Sequence, residues 1–325
     1  MVKLNKLNNF NFIKFLVVIF CYCFSTCKFS NYSLNLIYAS DINNLTAKSA
    51  ILIEASTGQV IYELNPDESL SPASITKLMT IFLIYESISN NSISWEDVVT
   101  VSDYASSMGG SQIFLEAGET QTVRDLTKSI VIASANDSAV AMAEFIGGSE
   151  EEFVKLMNQK ALDLNMTSSN FENACGLDEN TIDHYMSARD IAIISRELIT
   201  KYPEVYEFTQ TWQDSITHTT KSGSTEFGLT NTNKLLKLYD YATGLKTGST
   251  QKALYCLSGT AQKDGLELIA VVMGASTPTA RFQEVIELFE YGFSNYEVMQ
   301  CAKKGDVISK ASVYKGDFDF VDAII

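Results

Sequence analysis

Ser74 and Lys77 stand three residues apart at the head of an apolar run, Leu78-Met79-Thr80-Ile81-Phe82-Leu83-Ile84. A hydroxyl becomes a useful nucleophile when a base takes its proton, and an amine three residues along a helix lies on the same face. Lysine serves as that base only when neutral, and burial favours the neutral form, as does a second cation, here Lys246. The backbone N–H of Ser74 falls in the first helical turn, without an intrahelical acceptor and at the positive end of the dipole. Nucleophile, base and oxyanion donor can therefore come from four consecutive residues. Alone, Ser-x-x-Lys is weak evidence, because a capped helix with a solvated lysine has the same pattern.

Two further stretches bear on it: Ser134-Ala135-Asn136 and Lys246-Thr247-Gly248. Ser134 and Asn136 sit at a break between two helical patterns, where side chains can point into a cleft, although Asn136 also fits a helix cap. A Ser-His-Asp triad would have to use His184 or His218, the two histidines of the chain. His184 precedes a capped helix and reads as a loop tie, while His218 lies in a polar Thr-rich stretch and reads as exposed.

The elements that must position these groups follow from periodicity and punctuation. Residues 48–54 and 59–64 flank Ala55-Ser56-Thr57-Gly58 and predict a hairpin. Ser71 is the expected cap and Pro72 the first position of the buried helix that carries Ser74. An extended piece at 94–101 and a loop at 106–111 precede helices at 123–133 and 138–146, the second closed by Gly147-Gly148. Ser149 and Ser187 open further helices, to about 164 and over 191–199. Residues 206–235 fit strand or loop. Residues 254–260 and 266–274 form strands around a turn at 262–265, and a helix from Thr277-Pro278 ends at Gly292. The order hairpin, helical middle, strands and helix predicts an α+β fold whose antiparallel sheet is built from both chain ends, with an inserted helical lobe. Residues 294–325 hold strand and turn material, too little for a domain of their own.

The chain has 325 residues, 46% hydrophobic and 19% charged, which describes a globular protein with a sizeable core. Residues 1–39 contain Lys3, Lys6, Lys14 and Lys28 and no acidic residue, and residues 15–24 are an apolar run too short to span a bilayer comfortably. We read an export signal there, with Ala39 as a small residue for cleavage. The remainder carries 20 basic and 39 acidic residues, which excludes nucleic-acid binding through bulk charge. Cys21, Cys23 and Cys27 lie in the leader, and Cys175, Cys256 and Cys301 are far apart. The six match neither a disulfide framework nor a metal spacing. No cofactor and no metal are expected.

Taken together, the three stretches resemble the serine D-alanyl-D-alanine carboxypeptidases, the low-molecular-weight penicillin-binding proteins. The likeness covers residues 72–80, 134–143 and 244–248 most closely, and roughly residues 48–293 overall. It implies a β-lactamase/transpeptidase-like fold, a peptidase domain over 40–293 and the opening of a truncated β-rich C-terminal domain over 294–325. It implies that Ser74 forms an acyl-enzyme, with Lys77 as base and Ser134 relaying a proton to the leaving amine. Asn136 would bind the substrate amide, and Lys246 and Thr247 the terminal carboxylate. Gly248 would let substrate approach the strand, and the N–H of Ser249 would complete the oxyanion hole with that of Ser74. The substrate would be a peptidoglycan pentapeptide ending in D-Ala-D-Ala, β-lactams would be covalent inhibitors, and the site of action would be outside the plasma membrane. Membrane association stays open. A β-lactamase of related fold is the alternative, but the Glu-x-x-Leu-Asn loop of class A is absent from the sequence. A β-lactam receptor that acylates without turnover is another, for which no signalling partner domain is visible. Thr243 stands where many members carry Asp.

Overall fold

A computed structural model describes Ile42 and residues 45–179, 181–220, 223–299, 305–315 and 318–324. The leader read at 1–39 and Cys301 lie outside the described residues. The first strand, β1 (Ser49–Glu54), is buried at nearly every position because it serves two cores. Ile51 and Ile53 face the helical lobe, whereas Ala50 and Leu52 face the opposite layer. An antiparallel strand with both faces covered loses the polar alternation of a half-exposed one. The hairpin is completed by β2 (Val60–Leu64).

A 3-10 turn, Ala73–Thr76, leads into α1 (Lys77–Ser89). The helical lobe continues through β3 (Val98–Thr100), α2 (Asp103–Ser106), β4 (Thr120–Thr122), α3 (Val123–Ile132), α4 (Asn136–Gly147), α5 (Glu150–Asp163) and α6 (Ala188–Lys201). Then come α7 (Tyr206–Thr209), the hairpin β5 (Gln213–Thr220) and β6 (Gly223–Thr230), and α8 (Leu235–Leu238). The strands β7 (Ala242–Thr250), β8 (Leu254–Lys263) and β9 (Leu266–Ala275) precede α9 (Ala280–Asn295). A hairpin of β10 (Val307–Ser312) and β11 (Phe320–Ile324) follows, largely exposed.

The main sheet has the order β2-β1-β9-β8-β7, antiparallel at each pairing, so both chain ends build it as expected for an α+β fold. Phe282, Val285, Leu288 and Phe289 of α9 cover one face, and α1 and its neighbours cover the other. Enclosure on all sides explains why α1 is apolar round its whole circumference.

Ser149 and Ser187 cap as expected, accepting the N–H of Glu152 and Asp190. Other boundaries differ from the sequence reading. Ser71 is not a cap, since its hydroxyl donates to Asp178 and the turn after it begins at Ala73. The helices at Asn136 and Ala188 start earlier than their apolar patterns, because polar first turns carry no periodicity. Gly292 does not stop α9. A Cβ there would come within 2.5 Å of Leu268 Cδ1, so the glycine permits close helix–sheet contact. The helix therefore runs past the domain boundary placed at 293.

Candidate active site

Ser74 lies in the 3-10 turn and Lys77 is the first residue of α1. In 3-10 geometry residues i and i+3 eclipse, which brings amine and hydroxyl together more directly than an α-turn would. Lys77 Nζ is 3.0 Å from Ser74 Oγ. It also donates to Asn136 Oδ1 at 2.6 Å and to the Cys175 carbonyl at 2.7 Å. These last two partners can only accept. A neutral amine keeps two N–H donors for them, and its lone pair is left for the Ser74 hydroxyl.

Lys77 is fully buried, and burial lowers its pKa from 10.5 to about 8 against the pull of the Asp137 carboxylate. Burial also pushes Lys246 down, and there the repulsion from Lys77 adds to it. Of the two effects expected to lower Lys77, burial is the one seen, while the contribution expected from Lys246 is not, the repulsion between the two bearing on Lys246 instead.

Ser134 is held at φ 61° between α3 and α4, and its Oγ accepts from Lys246 Nζ at 2.7 Å. With a lone pair so occupied, its own proton remains available to donate. The alternative of a helix cap at Asn136 is not realised, for α4 has no side-chain cap. Its Oδ1 takes Lys77, and its Nδ2 donates to the Gly109 carbonyl at 2.7 Å, leaving one N–H for a substrate.

Lys246, Thr247, Gly248 and Ser249 follow one another on β7. Lys246 reaches across to Ser134, Thr247 Oγ1 shares a hydrogen bond with Thr232 at 2.8 Å, and Ser249 is exposed. Gly248 has a packing reason beside the substrate access expected of it. Its missing Cβ would meet Pro72 O at 2.6 Å and Ile75 N at 3.0 Å, so it lets β7 press against the nucleophile turn.

All eight residues thus gather where the 3-10 turn, the α3–α4 break and β7 meet. Several supporting groups carry no motif of their own. Gly176, at φ +85°, would place a Cβ 1.9 Å from the Ala73 carbonyl, so the loop holding the Cys175 carbonyl packs directly on the nucleophile turn. Asn173 Oδ1 pins that loop through the N–H groups of Cys175 and Gly176. Asp178 accepts from Ser71 and from Thr250 at the end of β7. Arg281 of α9 donates to the Gly248 carbonyl at 3.2 Å. Asp137 was the one legible signal, a carboxylate beside Asn136 within an apolar helix. It accepts from the N–H groups of Ile113, Leu115 and Ser138.

The histidines divide. His184 ties loops as expected: its Nδ1 accepts the Glu172 N–H, so Nε2 carries the proton and donates to Thr76 at 2.8 Å. His218 is buried, not exposed, and pairs with Glu119 at 2.7 Å. The alternating inward face of β5 was hidden by its threonines. Neither ring is bonded to Ser74 or Lys77.

A family model described as D-alanyl-D-alanine carboxypeptidase matches residues 37–277. The D-alanyl-D-alanine carboxypeptidase DacF of Bacillus subtilis is 48% identical over 276 residues, covering 85% of this chain and 69% of that protein. The D-alanyl-D-alanine carboxypeptidase DacD of Escherichia coli is 32% identical, with 89% and 74% covered. Among solved structures, a peptidoglycan synthesis regulatory factor of Streptococcus pneumoniae superposes with a TM-score of 0.77 at 34% identity, covering 86% of this chain and 83% of that one. Penicillin-binding protein D2 of Listeria monocytogenes, in an ampicillin-bound form, gives 0.65 at 34% identity, covering 77% of this chain and 99% of that one.

Proposed function

This chain belongs to the D-alanyl-D-alanine carboxypeptidase family, and from that premise we propose that it removes the terminal D-Ala of peptidoglycan stem peptides through an acyl-enzyme on Ser74. The observation that carries the mechanism is the set of partners around Lys77. Two obligate acceptors and one hydroxyl leave the amine's lone pair a single direction, toward Ser74.

Lys77 takes the Ser74 proton as Oγ attacks the carbonyl of the penultimate D-Ala. The N–H groups of Ser74 and Ser249 are the donors for the developing oxyanion. As the C–N bond breaks, Ser134 gives its proton to the leaving amine and takes in its place the one Lys77 removed from Ser74, so Lys77 is neutral again and the ester remains on Ser74. The substrate carboxylate meets Lys246 and Thr247. Its negative charge opposes the burial that holds Lys246 low and so favours the charged form of Lys246 when the terminus arrives. Water then cleaves the ester. The groups bonded to Lys77 are a hydroxyl, an amide and a carbonyl, none a carboxylate. With no carboxylate bonded to that amine among the described residues, β-lactams, whose strained amide mimics the scissile bond, acylate Ser74 and leave slowly. The basic and apolar leader at 1–39 supports export to the outer side of the plasma membrane.

The test is incubation of the purified protein with a D-Ala-D-Ala peptide, assaying free D-alanine, and with labelled penicillin, mapping the adduct by mass spectrometry. Release of D-alanine and an adduct on Ser74 are expected. An adduct on Ser134, or none in folded protein, would overturn the mechanism. Rapid β-lactam turnover without an adduct would replace it with a β-lactamase.

A further inference from the structure

Phe114 is costly to the fold on two counts. It is 65% exposed, and its backbone sits at φ +63°, a region that bulky side chains avoid. It is nevertheless held from both flanks. Ile113 and Leu115 are buried, and their N–H groups each donate to Asp137 Oδ2 at 3.1 Å. Asp137 directly follows Asn136, whose own N–H donates to the Ser111 carbonyl at 2.7 Å and whose Nδ2 donates to Gly109. The segment 109–115 is thereby fastened along the wall that carries the partner of Lys77.

Facing Phe114 is Phe227 of β6, with ring centroids 6.1 Å apart and planes inclined at 64°. His218 of β5 packs edge-on against Phe227 at 5.5 Å, and Glu119 holds His218. Beyond β6 the chain reaches Thr232, which is bonded to Thr247. The two rings thus bridge the Asn136 wall and the segment leading to the Lys-Thr-Gly wall. An exposed aromatic kept in an unfavourable backbone by a buried carboxylate contributes nothing to the core, and strain of this kind persists where an external group makes use of it.

We infer that Phe114, backed by Phe227, is a specificity-determining residue of the acylation step, receiving the apolar side group on the acyl part of the substrate. In a stem peptide that group is the aliphatic side-chain stem of the residue before D-Ala-D-Ala, and in a penicillin it is the side-chain ring. The inference rests on the acyl-enzyme reading above.

The test compares acylation rates for benzylpenicillin and 6-acetamidopenicillanic acid, which differ by the phenyl ring. Aromatic contact of this kind should give the wild-type protein a preference of roughly tenfold for the benzyl compound. Phe114→Asn keeps a residue that tolerates the left-handed backbone while removing the ring. It should bring the rate ratio close to one without lowering the melting temperature, and Phe114→Tyr should keep the preference. A wild-type ratio in Phe114→Asn, or two rates that fall together with the ratio preserved, would overturn the inference. Wild-type protein acylated by neither compound would overturn the acyl-enzyme reading, and this inference with it.

Discussion

If burial is what makes Lys77 a base, acylation must follow its ionisation. The pKa of about 8, against an ordinary 10.5, means that about one molecule in ten carries the neutral amine at pH 7, where an unshifted lysine would give about one in 3,000. The difference corresponds to roughly 3 kcal/mol of barrier that the enzyme does not have to supply. The acylation rate with a slow-releasing penicillin should therefore climb about tenfold per pH unit below 8 and level off above it. Lys77→Arg places in the same buried position a guanidinium that cannot give up its proton, and should lose acylation by about three orders of magnitude or more. Stability moves in step. The folded pKa is depressed, so the unfolded chain binds more protons between pH 8 and 10.5, and stability is gained as pH rises through that window. Below pH 8 the full penalty of the buried cation is present, and Lys77→Met should abolish this component of the profile. A flat acylation profile between pH 6 and 9, or a folded Lys77→Arg protein within about tenfold of wild type, would refute the argument.

Gly248→Ala should displace the nucleophile turn, because the added Cβ meets Pro72 O at 2.6 Å. We expect a stability loss of about 1–3 kcal/mol together with a fall in acylation of about a hundredfold, read by thermal melting and labelled penicillin. Gly292→Ala meets Leu268 Cδ1 at 2.5 Å on the far side of the sheet. It should lower the melting temperature while leaving the acylation rate of the remaining folded protein as it was, which separates a packing effect from a site effect. Asp178→Ala cuts the links from the Cys175 loop to Ser71 and Thr250. It should slow acylation about tenfold and shift its pH midpoint, as the loop carbonyl that holds Lys77 loosens; an unchanged midpoint would show that the loop stands without the clasp.

The candidate groups were legible because they are local. Ser74 and Lys77 lie within one turn, Ser134 and Asn136 within one helix break, and Lys246 to Ser249 on one strand. The apolar run after Lys77 announced burial on all sides, and a pattern of that kind survives without tertiary information. Other features lay beyond the sequence. Gly292 looks like a helix terminator, yet it and Gly248 are each a contact between elements distant in sequence. The carbonyl of Cys175 carries no side-chain signature, so nothing in the letters could nominate it as a partner of Lys77. His218 sat among threonines whose inward and outward faces cannot be told apart by polarity. What the sequence alone determined was the α+β frame and which groups to place as candidates, since both follow from local spacing and periodicity. What the tertiary structure decided was that Lys246 is buried as fully as Lys77 and which glycines let backbones touch, since dielectric and close approach are properties of packing between segments.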